Sequence, residues 1–180
     1  MNRKTFLAQL GGAGLVALLP IHRVFAKTGF KPLIDKIKGK VIMSEEGKTL
    51  RILGNVQIHK LTGKDTDNQI VEWIDHLEPG SGIPPHIHTR EDEIFRVLEG
   101  QVELMVDNSV TILKAGDMAL APKNIVHSWR VVGAEKAKMC VSAFPSGMEH
   151  LFEELNALPA GPPNFEAIAA ISDKYGIHFV

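Results

Sequence analysis

The sequence predicts an all-β domain of antiparallel strands folded into a sandwich or barrel. Three observations carry that prediction. Short apolar runs recur evenly between about residues 40 and 145, turn-forming residues separate them, and no helix-length pattern interrupts them. Helical periodicity begins only after residue 145.

Val41–Met43, a turn at Glu46-Gly47 and Thr49–Leu53 read as a first hairpin. Val56–Leu61 follows, and Thr62–Asn68 (TGKDTDN) is a polar loop. Ile70–Leu77 is a strong strand, closed by Glu78-Pro79-Gly80. The series continues through Glu93–Leu98, Gln101–Val106, Val110–Leu113, Met118–Ala121, His127–Val132 and Lys138–Ala143. Ser146-Gly147-Met148-Glu149 then fits a capping box, with the serine as cap and the glutamate reaching back. Met148, Leu151, Phe152 and Leu155 make an apolar stripe at helical spacing. After a Pro/Gly linker over 158–163, Phe165–Tyr175 is a second helix that Gly176 is placed to end. Both helices are expected to pack outside the barrel.

The chain divides into an N-terminal signal, residues 1–26, and a single domain, 27–180, with the barrel over about 40–145 and a helical tail over 146–180. Asn2-Arg3-Lys4 is a short basic start, Leu7–Leu19 is apolar, and Val24-Phe25-Ala26 offers small residues for cleavage. The apolar stretch is too short to span a bilayer comfortably. Arg3–Leu7 also resembles a twin-arginine signal with lysine in the second place. No cysteine lies nearby to carry a lipid, so the expected product is a periplasmic or secreted protein without a membrane anchor, starting near Lys27.

Composition excludes several classes of function. A formal charge of −1 gives no electrostatic footprint for nucleic acid. The single cysteine, Cys140, rules out an internal disulfide and a cysteine-rich metal site, and its Val/Ala/Met-rich neighbours suit a small buried hydrophobe. His59, His150 and His178 are isolated, and read as surface or packing residues.

The chemistry concentrates in two blocks. The first is Gly80-x5-His86-x-His88-x4-Glu93-x6-Gly100, the second Gly116-x5-Pro122-x-Asn124-x2-His127. Histidines two apart on an extended chain share a face, because strand side chains alternate. Glu93 opens the following strand and His127 arrives from a distant one. Three imidazoles and a carboxylate suit one first-row divalent ion with open coordination positions. Around them, Glu72 alternates with Ile70 and Ile74 and is expected inside, where a carboxylate needs a partner or a cavity. His76, Phe95, Val97 and Trp129 are the other candidate pocket residues, with plain core packing as the competing account for the last three. Glu91-Asp92 beside Arg90 reads as a solvated loop at the barrel mouth.

These blocks resemble the cupin superfamily. The first block matches the cupin pattern at every position. The second departs at Asn124, where the pattern has glycine, and at Val131, where it has asparagine. Asparagine tolerates a left-handed turn backbone, so the first change is mild. Gly63-x-Asp65-Thr66, Glu72, Pro79-Gly80, Asp92-Glu93-x-Phe95, Val97–Gly100 and the run Pro145–Leu155 are similar to the small quercetin-dioxygenase-like monocupins.

The resemblance implies a double-stranded β-helix, or jelly-roll, barrel with two short C-terminal helices. It implies that His86, His88, Glu93 and His127 hold one divalent transition metal, among Fe, Mn, Ni, Co, Cu and Zn. The implied activity is an oxygen-dependent dioxygenase acting with dioxygen on a small enolic or aromatic, flavonol-like compound, Glu93 being both ligand and general base. The same four ligands also serve non-redox cupins of the sugar or keto-acid isomerase type, and cupins that bind a ligand without turnover. Cupin barrels often form homodimers through N-terminal strands, and residues 27–45 are the segment available for that.

Overall fold

The computed structural model describes residues 37–159 and 161–180. The signal over 1–26 lies outside the described residues, as do residues 27–36. Among the described residues, eleven strands make two antiparallel sheets. They are β1 (Lys48–Ile52), β2 (Asn55–Leu61), β3 (Val71–Leu77), β4 (Gly82–His88), β5 (Asp92–Glu99), β6 (Gln101–Val106), β7 (Ser109–Lys114), β8 (Met118–Ala121), β9 (His127–Val131), β10 (Ala137–Phe144) and β11 (Ile177–Phe179). The first sheet runs β1-β2-β3-β10-β5-β8 and the second β11-β4-β9-β6-β7, so strands close in sequence alternate between sheets as in a jelly roll. Among the described residues there are also three helices: a single turn α1 (Gly63–Thr66), α2 (Met148–Asn156) and α3 (Phe165–Lys174).

Alternation along the strands builds the core. On β10 Ala137, Met139, Val141 and Ala143 are buried, with half-buried residues between them. On β5 Glu93, Phe95 and Val97 point the same way, and on β6 Val102 and Leu104 do so from the opposite sheet. Tight turns set the register. Leu53-Gly54 joins β1 to β2 and Asp107-Asn108 joins β6 to β7, both residues of each pair having positive φ, as a two-residue hairpin turn requires. Gly100, at φ 74°, is bound to its identity. A Cβ there would sit 2.5 Å from the Lys136 carbonyl oxygen.

Four expectations need correction. Val41–Met43 forms no strand, and β1 pairs instead with β2. The Lys60 ammonium takes the carbonyl oxygens of Met43, Ser44 and Glu46, holding that stretch as a loop. Ser146 does not cap α2. The cap is Gly147, whose N–H donates to Glu149 at 2.7 Å, while the other carboxylate oxygen accepts from Gly63 N–H at 2.8 Å. Glu149 therefore reaches back as predicted but ties α2 to α1. The polar loop after β2 contains α1, closed by a reciprocal box between Thr62 and Asp65.

The fourth correction concerns the tail. The apolar faces of α2 and α3 turn toward the space enclosed by the sheets, with Met148, Leu151, Phe152 and Ile168 buried. After α3 the chain adds β11 to the edge of the second sheet, pairing Ile177 with His88 and Phe179 with His86. The tail thus walls the interior instead of merely decorating the outside. Among the described residues, no helix is long and apolar enough to cross a membrane.

Candidate metal centre

Three strands deliver the four expected ligands. His86 and His88 stand on the inward face of β4, two residues apart. His127 begins β9, the neighbour of β4, directly opposite His86 in the register. Glu93 comes from the other sheet, as the second residue of β5. Within the second block Asn124 takes φ 64° and its N–H donates to the His88 carbonyl at 2.7 Å. The left-handed turn that glycine would supply is thus made by asparagine, and it delivers His127 to the ligand strand.

All four side chains are buried, and one donor atom from each lies within 4.8 Å of the others. The ring centroids of His86 and His127 are 4.2 Å apart, with His88 at 5.0 and 5.1 Å from them. Glu93 Oε2 lies 3.0 Å from His127 Nε2 and 3.5 Å from His88 Nε2. Backbone carbonyls orient two of the rings. His86 Nδ1 faces Pro84 O at 2.8 Å and His127 Nδ1 faces Ile125 O at 3.1 Å, so each Nδ1–H has an acceptor and each Nε2 lone pair is left for the centre.

The protonation states match a metal site. Burial pushes His86 down to about 4, helped by His127, and burial also lowers His88. For Glu93, burial alone would raise the carboxyl, but His88, His127 and His86 together outweigh it and hold it below the usual range. Burial likewise opposes charge on His127, yet its bond to Glu93 raises it on balance. Neutral imidazoles and an ionised carboxylate are the forms a divalent ion needs, and an ion would replace the proton that His127 and Glu93 share. Opposed ligands at bond lengths of 2.0–2.2 Å stand about 4.3 Å apart, so a slight contraction of the quartet closes it on an ion. The donor set therefore fits a first-row divalent metal.

Glu91 departs from expectation. It is buried rather than solvated, near the Gly147 start of α2, and burial pushes its carboxyl up to about 7. His88 Nδ1 lies 3.9 Å from Glu91 Oε2, and neither atom has a hydrogen-bond partner. Arg90 bonds the Lys174 carbonyl at 3.0 Å and fastens this loop to α3, which explains how an acidic surface-like motif ends up covered.

Beside the ligands lies a cavity of about 330 Å³ reached by His86, His88 and Glu93. Phe95 and Trp129, expected there, line it. Val97 is fully buried and does not reach its wall. Glu72 and His76 lie on the other face of β3: Glu72 is half-buried and accepts from Ser142 Oγ at 2.8 Å, and His76 is exposed. The inward residues of β3 are Val71, Trp73, Asp75 and Leu77. Ile70 and Ile74 had suggested the opposite parity, but both are only half-buried, and the fully buried residues of β3 stand on the other face. Asp75 and Gln57 are therefore cavity residues the sequence reading missed. The available signal was Asp75 alternating with Trp73 and Leu77, three residues of one face with the bulkiest ring among them.

The remaining singled-out residues have structural places. His59 is buried, stacks on Trp73 and meets Phe152 edge-on, a packing residue that burial pushes down to about 4. Cys140 is half-buried on the outer face of β10, where burial raises the thiol to about 12 and makes it a poor nucleophile. His150 and His178 lie at the surface.

Residues 73–144 match the family model described as "Cupin domain". The chain is 32% identical to quercetin 2,3-dioxygenase of Bacillus subtilis over 113 residues, 62% of this chain but a third (33%) of that protein's length. It is 30% identical to the pectin degradation protein KdgF of Dickeya dadantii over 89 residues, 46% of this chain and 79% of that protein. The solved structure of KdgF from Halomonas sp. superposes with a TM-score of 0.54 at 18% identity, covering 63% of this chain and 99% of that one, a likeness of fold.

Proposed function

This chain belongs to the cupin family, and we propose that it is a metal-dependent dioxygenase acting on a small enolic or aromatic compound. One observation carries the reading. Glu93, ionised and aimed among the three histidines, also faces a cavity whose walls include Phe95, Trp73, Trp129 and Phe152. A carboxylate so placed can accept the proton of an enol lying between those rings. His86, His88 and His127 hold the ion and keep Glu93 charged, and the aromatic walls exclude water and orient a planar substrate. A redox-active divalent ion bound there supplies Lewis acidity and a path for electrons to dioxygen. Similarity to quercetin 2,3-dioxygenase supports this reading, over the third of that enzyme which the chain spans.

A second reading, a non-redox cupin working on a sugar-derived compound, draws on the match to KdgF over 79% of its length. Metal analysis and oxygen uptake with flavonols and other enediols separate the two. The dioxygenase reading expects oxygen uptake with a redox-active metal and none with zinc. Turnover of a pectin-derived sugar by zinc-loaded protein without oxygen would overturn it. We further propose export and cleavage near Ala26. Mass spectrometry of the N-terminus from the native cell should find a chain starting near Lys27, and an intact Met1 start would refute this.

A further inference from the structure

Within the cavity, a second polar group stands apart from the metal ligands. Asp75 lies on β3, and the register places it across β10 from Val97 instead of beside Glu93. It is buried, its Oδ2 accepts from Trp73 Nε1 at 2.8 Å, and the Gln57 amide also bonds it. Gln57 is itself buried, and its Oε1 lies 3.2 Å from His59 Nε2. Phe152 of α2 packs edge-on against Trp73 and His59, covering the outer side of this row. Asp75 and Gln57 nonetheless line the cavity.

This is a built arrangement. A buried carboxyl costs stability unless its bonding capacity is used. Trp73 and Gln57 are both donors to it, which leaves the rest of that capacity to the cavity. We infer that Asp75, positioned by Trp73 and Gln57, is a recognition site for a hydroxyl group at the end of the substrate remote from its metal-binding oxygens. The inference rests on the enolic substrate proposed above and narrows it to a two-ended molecule with an apolar body. Hydroxyl is the group that fits, because it donates to a carboxylate and accepts from a carboxyl. An ammonium would suit only the first form, and a carbonyl only the second. Burial brings this carboxyl up to about 7, so both forms occur at neutral pH.

Matched flavonols test the inference by binding alone. Zinc-loaded protein is titrated without oxygen, by calorimetry, with 3-hydroxyflavone, 3,4′-dihydroxyflavone and 3,7-dihydroxyflavone. One of the dihydroxy compounds should bind about tenfold tighter than 3-hydroxyflavone, the worth of one buried hydrogen bond. Asp75→Leu, or Asp75→Ala should the leucine variant not fold, should bring that ratio close to one. Glu72→Gln, on the outer face of the same strand, should leave it unchanged. Equal binding of all three flavonols by wild type overturns the Asp75 inference while sustaining enol binding at the metal end. A preference that persists in the Asp75 variants overturns it too. Failure of every flavonol to bind overturns the enolic-substrate reading and this inference with it.

Discussion

Glu93 and Asp75 are carboxyls with nearly the same burial, 3% and 4% exposed, in strands of one sheet, and they ionise in opposite senses. Burial pushes both upward. Three histidines surround Glu93, and their charges and the His127 bond overcome the desolvation. Asp75 has only neutral donors, Trp73 and Gln57, which soften the effect of burial but leave the carboxyl at about 7, and the distant Glu93 charge pushes the same way. Partner charge, not burial, decides which carboxyl is a base. The cavity therefore has one end made for a cation and another made for hydrogen bonding.

The contrast breaks first where the charges are gathered. His88→Ala removes one of four donors, and bound metal should fall from about one ion per chain to a small fraction of that. The folding transition should persist, and elemental analysis with circular dichroism checks both. Equal metal in wild type and variant would place the ion elsewhere. Glu93→Gln keeps size and a weakly ligating carbonyl oxygen but cannot take a proton. Turnover of the accepted substrate should drop by about 10²–10⁴ while part of the metal and substrate binding survives. Full activity there would abolish the role of Glu93 as base.

The other carboxyl is read through stability. Asp75 ionises near 3.8 in an unfolded chain and at about 7 in the folded one. Below pH 4 both states hold the proton and the site carries no penalty. Between pH 4 and 7 only the unfolded state releases it, so wild-type stability falls as pH rises, levelling above 7. Asp75→Asn cannot titrate. In metal-free protein its stability relative to wild type should grow across that window by as much as a few kcal/mol, and denaturant melts at pH 4, 5.5, 7 and 8 follow the change. A pH-independent difference would show that Asp75 is ionised throughout. The smallest effect serves as a reference outside both ends. The Asn164 side chain caps α3 by accepting from Ala167 N–H at 3.1 Å. Asn164→Ala should cost about 1 kcal/mol in chemical denaturation, with metal content unchanged.

The ligand quartet was legible because metal coordination demands particular residue types at spacings the backbone can satisfy. Alternation puts His86 and His88 on one face, and the interval to Glu93 is one short loop. Most strand boundaries were legible for a similar local reason, since turn residues such as Asp107-Asn108 announce themselves by the backbone they allow. Legibility failed where the deciding contact is distant in sequence. Lys60 unmakes the expected strand at 41–43, and Glu149 spends its carboxylate on Gly63, 86 residues away. Glu91 looks like a solvated acid until the start of α2 and the Arg90–Lys174 contact cover it.

The parity of β3 shows the division most sharply. Apolar side chains on both faces make either assignment locally acceptable, and a slip of one residue exchanges Glu72 and His76 for Trp73 and Asp75 inside. Pairing with β10, whose alternation is unambiguous, sets Trp73 opposite Val141 and Asp75 opposite Met139 and so turns that face inward. By itself, then, the sequence determined the β class, most of the strands and the four candidate metal ligands, because these rest on periodicity and on residue chemistry. Only the tertiary structure decided what walls the cavity and which second carboxyl enters it. Those depend on which faces are covered, and covering is done by residues far away along the chain.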